Sequence, residues 1–275
     1  MKLIKPEKNY LITNMLSPVA ENLIEKYFNL PFPGVTGVRC PYYINRRGAR
    51  TQLRVLVGKG LPDEIVEESK IISIQYELGL FDKNGRCDER GAELIRKFLV
   101  DQNIGIECSG FVSHILRAHY LETKKFDITK KLNICPSGKF IRKLICKLRP
   151  IENMNVSIFA DNSNSSIINT EQSGYDQVQA GDYIIIMETG PLQKRNHIIL
   201  IRGVENKIIN YVHARAWSSE GKYGHGVTEG KIRIINNNKN LLEQEWIENE
   251  KINDQNETYL EAKQAKILEL RRLKF

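Results

Sequence analysis

Apolar and polar positions change their spacing once along this chain, from a helical period in the first part to a strand period further on. Ser17-Pro18 has the form of an N-cap and first helical residue, and predicts a helix to about Phe28. Between residues 31 and 62 glycines and prolines break the chain repeatedly, and residues 51–57 alternate as a short strand. From Pro62 to about Asn103 the period is helical, in two pieces separated at Asp82-Lys83-Asn84-Gly85, which reads as a plain turn and not a calcium loop. Residues 107–121 form an amphipathic helix with Phe111, Val112, Ile115 and Leu116 on one face. A basic, mixed stretch follows over 124–149, and residues 161–173, rich in Asn and Ser, read as a surface loop. Short Ile- and Val-rich runs at 183–187, 197–201, 208–212 and 231–235 predict strands. After Asn236-Asn237-Asn238 the pattern predicts a charged helix to Phe275, an appendage with Leu241, Leu242, Trp246, Ile267, Leu268 and Leu270 as its buried contacts. Helices first and antiparallel strands afterwards give an α+β fold class, with helices packed on a sheet.

Composition narrows this little. The 275 residues are 41% hydrophobic, and the formal net charge of +8 favours anionic partners. The Lys and Arg residues are dispersed and no RNA-binding signature is present, so nucleic acid is not expected. No apolar leader follows Met1, and no window approaches 18 uncharged apolar residues; the expectation is a cytoplasmic protein without a membrane span. Five scattered cysteines (Cys40, Cys87, Cys108, Cys135 and Cys146) predict reduced thiols, with all but Cys108 structural. No Cys-x-x-Cys or His-x-x-x-His pair occurs, so neither a metal nor a cofactor is expected.

The candidate chemistry lies in three segments. Glu107-Cys108-Ser109-Gly110 opens an apolar helix, where unpaired N–H groups and the helix dipole favour a thiolate and can hold an oxyanion. Ser109 and Gly110 leave room above the sulfur. His197 begins an apolar strand and His213 ends the next. A hairpin centred near Glu205 would bring the two histidines opposite each other within about one residue, one to carry the proton and the other to orient it. His114 and His119, five residues apart, are assigned packing or surface roles. His225, Arg215 and Trp217 are candidates for the rim of the same cleft, where Arg215 could grip a carboxylated peptide.

Together these segments resemble the NlpC/P60 family of papain-like cysteine peptidases. The family's Asp-Cys-Ser-Gly-Phe/Leu-Val motif corresponds to Glu107-Cys108-Ser109-Gly110-Phe111-Val112, with Glu in place of Asp. Gly181-Asp182 precedes the His197 strand, His213 stands where the family places its third polar residue, and Pro41-Tyr42 resembles its carbonyl-binding tyrosine. The resemblance implies a catalytic domain over 38–238 with a helical insertion at about 62–104, preceded by an N-terminal arm (1–37) and followed by a C-terminal helix (239–275) suited to a protein partner. It implies a cysteine peptidase or amidase acting on cell-wall stem peptides (muropeptides) or similar γ-linked peptides. Cys108, His197 and His213 are its catalytic residues, and Tyr42, Ser109, Arg215 and His225 its substrate contacts. Two alternatives remain: acyl-transfer or thioester chemistry at the same site, or an inactive binding scaffold.

Overall fold

The computed structural model describes residues 14–43, 53–87, 91–135 and 140–275. Its helices are α1 (Pro18–Phe28), α2 (Pro62–Gln75), α3 (Gly91–Asp101), α4 (Cys108–Thr123), α5 (Phe140–Leu148), α6 (Pro150–Asn153), α7 (Val156–Ala160), α8 (Thr170–Ser173), α9 (Gly221–Gly224) and α10 (Glu257–Gln264). The strands are β1 (Ser165–Ile167), β2 (Tyr183–Thr189), β3 (Arg195–Glu205), β4 (Ile208–Arg215), β5 (Gly226–Arg233), β6 (Glu245–Glu248), β7 (Lys251–Ile252) and β8 (Ile267–Leu273). They form one antiparallel sheet in the order β1-β8-β2-β3-β4-β5-β6-β7, so the fold is α+β.

The alternation of side chains along β3 and β4 decides what covers each face. Ile198, Leu200, Val212 and Ala214 join the core that contains Phe111, Val112, Ile115 and Leu116 of α4. Ile199, Ile201, Ile209 and Tyr211 face a second core with Trp246, Tyr259 and Ala262, the last two from α10. Pro18 starts α1 at its first position, and Ala20, Ile24 and Tyr27, spaced four and three apart, bury one stripe. The Tyr27 ring meets Phe111 edge-on at 5.3 Å. No helix among the described residues is long and apolar enough to cross a membrane.

Several sequence expectations are corrected here. Residues 14–37 are not an arm: Leu16, Ala20, Ile24, Tyr27, Leu30 and Phe32 belong to the main core, and Met15 bridges to Gly203 on β3. Residues 239–275 are not a helix. They contribute three strands and the eight-residue α10, because Glu245-Trp246-Ile247-Glu248 buries every second residue and Asn249 and Glu250 turn at φ 49° and 63°. The stretch is therefore part of the sheet and not an appendage. Residues 54–57 form a 3-10 turn instead of a strand, ended by Gly58 at φ 71°, while 51 and 52 lie outside the described residues. The loop at 161–173 holds β1, paired with β8, and α8. Cys135 and Cys146 are joined in a disulfide, which removes two of the five thiols expected to be reduced; Cys40, Cys87 and Cys108 are buried outside it.

Candidate active site

Cys108 is the first residue of α4, preceded by Glu107 in extended conformation. The small residues after it have a steric cause. A Cβ on Gly110 would lie 2.5 Å from the Gly58 carbonyl oxygen, so the helix start can approach the 58–60 backbone only with glycine there. The Glu107 N–H donates to the same carbonyl at 3.0 Å. Lys59 clamps this junction. Its buried Nζ donates to Ser109 Oγ at 2.7 Å and to Met154 O, and pairs with the Glu107 carboxylate. Ser109 Oγ also donates to Glu107 Oε1 at 2.6 Å. The Ser109 hydroxyl is thus spent inside the junction, which corrects its expected role as a substrate contact. His114 belongs to the same structure, its Nε2 donating to Lys59 O at 2.8 Å. His119 Nδ1 accepts from the Ser17 N–H at 3.1 Å.

The histidines come together through a hairpin that differs from the expected one. Asn206 and Lys207 occupy its turn at φ 51° and 63°, and the register shifts between Ile201 and Gly203. The β3–β4 ladder starts at Leu200 opposite Val212, which sets His213 two positions away from direct opposition to His197. Diagonal neighbours on one face still reach each other. His197 Nε2 and His213 Nδ1 are 2.7 Å apart. His213 keeps its ladder partner on the other side, Thr228 of β5.

Because that ladder stops at Leu200, the start of β3 is unpaired on its β4 side. The Cys108 thiol comes in at this end, where the backbone N–H of Ile198, the residue after His197, reaches the sulfur. Tyr42 comes to the same place. It bridges to Ile106, and the neighbouring strand-like contacts run from Tyr43 N to Ile106 O and from Ile106 N to Pro41 O, both at 3.0 Å. The long stretch between Tyr42 and Cys108 folds back through α2 and α3, so distance in sequence does not separate the two residues. Burial above all, with Glu107 adding to it, holds the Tyr42 phenol well above its ordinary range, so it remains a proton donor.

The sequence did not reveal Glu248. From β6, Glu248 Oε2 lies 3.1 Å from His213 Nε2, and it accepts from Tyr211 Oη at 2.9 Å and Thr258 Oγ1 at 3.1 Å. Arg215 Nε donates to Glu248 Oε1 at 2.5 Å, while the other guanidinium nitrogens pair with Glu220. Arg215 is 3% exposed and fully paired, so it anchors Glu248 and is not the peptide-gripping residue expected. Trp217 stacks on that guanidinium at 3.9 Å and donates to Thr258 Oγ1 at 3.0 Å. His225 stands in the electrostatic field of Glu220, Arg215 and Arg96; no hydrogen bond joins it to Cys108 or His197 among the described residues.

The charges follow from this packing. Burial would raise the Glu248 carboxyl, but His213 and Arg215 outweigh it and hold the group at about 2, so Glu248 is ionised. Burial, with Glu107 adding to it, pushes the Cys108 thiol up to about 12; the Ile198 N–H and Lys59 oppose this and lose. Burial, then His213, keeps His197 well below its ordinary range. The thiolate expected at the helix N-terminus is therefore corrected: thiol and imidazole are both neutral at rest, because at 4% and 5% exposure desolvation exceeds the benefit of the dipole.

An ionised Glu248 can only accept, so His213 Nε2 carries a proton. When His213 carries that one proton alone, its Nδ1 is the acceptor and His197 Nε2 the donor. His197 Nδ1 is left with the lone pair and no hydrogen-bond partner among the described residues. A neutral thiol, a neutral imidazole with its lone pair free and a relay ending in a carboxylate make up the parts of a nucleophile–base system. No protein-family model, curated protein or solved structure gives a significant match to the chain.

Proposed function

We propose that the chain is a cysteine hydrolase with a papain-like core of the NlpC/P60 kind, cleaving peptide amide bonds. The substrate class that fits the resemblance is cell-wall stem peptides or similar γ-linked peptides. The observation that carries the reading is the buried relay from His197 through His213 to Glu248, with the Cys108 thiol at the backbone N–H of Ile198, next in sequence to His197. A structural histidine pair does not require an ionised carboxylate to fix the tautomer of its second ring.

In this reading His197 Nδ1 takes the thiol proton as the sulfur adds to the substrate carbonyl. The oxyanion is held by the free N–H groups of the first turn of α4 and by the Tyr42 hydroxyl. His197 then returns its proton to the leaving amine, the C–N bond breaks, and a thioester remains on Cys108. Water, deprotonated by His197, cleaves the thioester, releases the acid and restores the thiol. Each imidazolium formed at His197 is compensated through His213 by Glu248.

The test is digestion of a muropeptide mixture by the wild type and by Cys108→Ala, read by mass spectrometry. New free amines and carboxylates with the wild type only are expected. The near-complete burial of the thiol favours a second reading, a binding scaffold on the same fold. That reading predicts retention of intact muropeptides without turnover in the same experiment.

A further inference from the structure

Helix α5 buries one residue, Cys146, and exposes nearly everything else. Phe140, Ile141, Leu144, Ile145 and Leu148 are all exposed, Phe140 by 83% and Leu148 by 74%. At about 100° per residue these five fall within one arc of about 140°, with no polar residue among them. Arg142 lies along one border of the arc, and Lys143 and Lys147 along the other. The helix contains no acidic residue. Cys146 points away from the arc into the protein, where its disulfide to Cys135 and the packing of α5 on α6 fix the helix by its inner side.

We infer that α5 is a membrane-surface element that lays Phe140, Ile141, Leu144, Ile145 and Leu148 into an anionic lipid leaflet, with its basic borders on the headgroups. A short helix with an uninterrupted apolar arc and cations on both borders is the arrangement that lies in the plane of an interface. The charge selects the partner. A second copy of this chain would bring the same cations against themselves, whereas acidic headgroups complement both borders at once. Ile145 and Arg142 also line a cavity of about 220 Å³ together with Lys59 and Glu107, so the helix borders the segment that holds Cys108. The inference does not depend on the hydrolase reading, since binding to lipid needs no thiol chemistry.

Co-sedimentation of the full chain with vesicles tests it. The wild type pellets with phosphatidylglycerol–phosphatidylcholine vesicles, stays in the supernatant with phosphatidylcholine alone, and is released by 0.5 M salt to a large degree. Leu144→Ser with Leu148→Ser abolishes pelleting, and Lys143→Glu with Lys147→Glu weakens affinity about tenfold or more. All four positions are exposed, and unchanged circular dichroism verifies that the variants are folded. Cys108→Ala pellets like the wild type, which separates this result from the fate of the catalytic reading. Equal pelleting of wild type and the Ser variant, no pelleting with either vesicle, or a concentration-dependent dimer abolished by the Ser variant in place of lipid binding overturns it.

Discussion

His197 Nε2 and His213 Nδ1 stand 2.7 Å apart although their strands do not pair at that point. The contact is made by side chains across the splayed end of a hairpin. It therefore depends on what holds His213 from behind, and that is Glu248. Glu248→Gln keeps the shape but removes the charge and allows the amide to donate to His213, reversing both tautomers. The expected result is a loss in kcat on the order of 10²- to 10⁴-fold with KM little changed. A variant with wild-type kcat would remove Glu248 from the relay.

Cys108→Ala and Cys108→Ser both abolish turnover. The hydroxyl is harder to ionise, and the neutral base that suffices for a thiol is too weak for it. Neither exchange changes the volume at the helix start much, so thermal unfolding stays close to that of the wild type. Turnover by the Ala variant on a substrate confirmed for the wild type excludes the nucleophile assignment.

The alkylation rate of Cys108 in the free protein should rise about tenfold per pH unit across pH 7–9, as expected for a thiol pushed up to about 12. Iodoacetamide labelling followed by peptide mass spectrometry measures it against the same residue in unfolded chain, which reacts faster at neutral pH. A flat profile below pH 8 would mean a resting thiolate–imidazolium pair and would refute the neutral resting state.

Burial, and then His213, keep His197 well below the ordinary imidazole range, so the proposed base stays unprotonated into mildly acidic solution. The acid limb of kcat/KM should therefore lie well below pH 6.5, the ordinary imidazole value, with the fold intact by circular dichroism. A limb at or above pH 6.5 would contradict a buried, neutral His197.

Glu248 also predicts how stability depends on acid. Its carboxyl lies at about 2 in the folded chain against an ordinary 4.5. A lowered folded-state value contributes stability above pH 4.5 that is lost as pH falls toward 2, and the gap corresponds to about 3 kcal/mol. Urea unfolding of the wild type should weaken between pH 5 and 2.5 by more than that of Glu248→Gln. Removing the side chain in Glu248→Ala leaves His213 buried without its carboxylate and Arg215 with Glu220 alone, and should cost about 3–5 kcal/mol at neutral pH. Parallel pH curves for wild type and Glu248→Gln would contradict the ionised, paired state.

The helices around Cys108 and strands β2 to β5 were legible because their periods are strong and local. Ile115 and Leu116 repeat the helical face of Phe111 and Val112, and residues 198–201 are continuously apolar as a strand covered on both faces must be. The helix start at Cys108 and the nearness of the two histidines were legible from residue type at element starts and ends. Glu248 was not. It lies 35 residues beyond His213 in a segment whose charge density reads as a solvated helix, and only the pairing of β5 with β6 brings it underneath. Its one local sign was the alternation of Glu245, Trp246, Ile247 and Glu248, too short to outweigh the surrounding charges. The sign of the Cys108 shift was equally hidden, because the helix start can be read from sequence whereas the depth of its burial is a tertiary property.

The place of β8 between β1 and β2 sets an order on synthesis. A ribosome delivers α4 and the Cys108 thiol long before residues 267–273, yet β2 has an open flank until those residues arrive. Glu248, on β6, is also delivered late. During translation the Cys108 thiol thus exists before Glu248 can reach His213, on a sheet that cannot yet close. Pairings this far apart along the chain form slowly, and a chain stalled before residue 267 would present two unpaired edges to its neighbours.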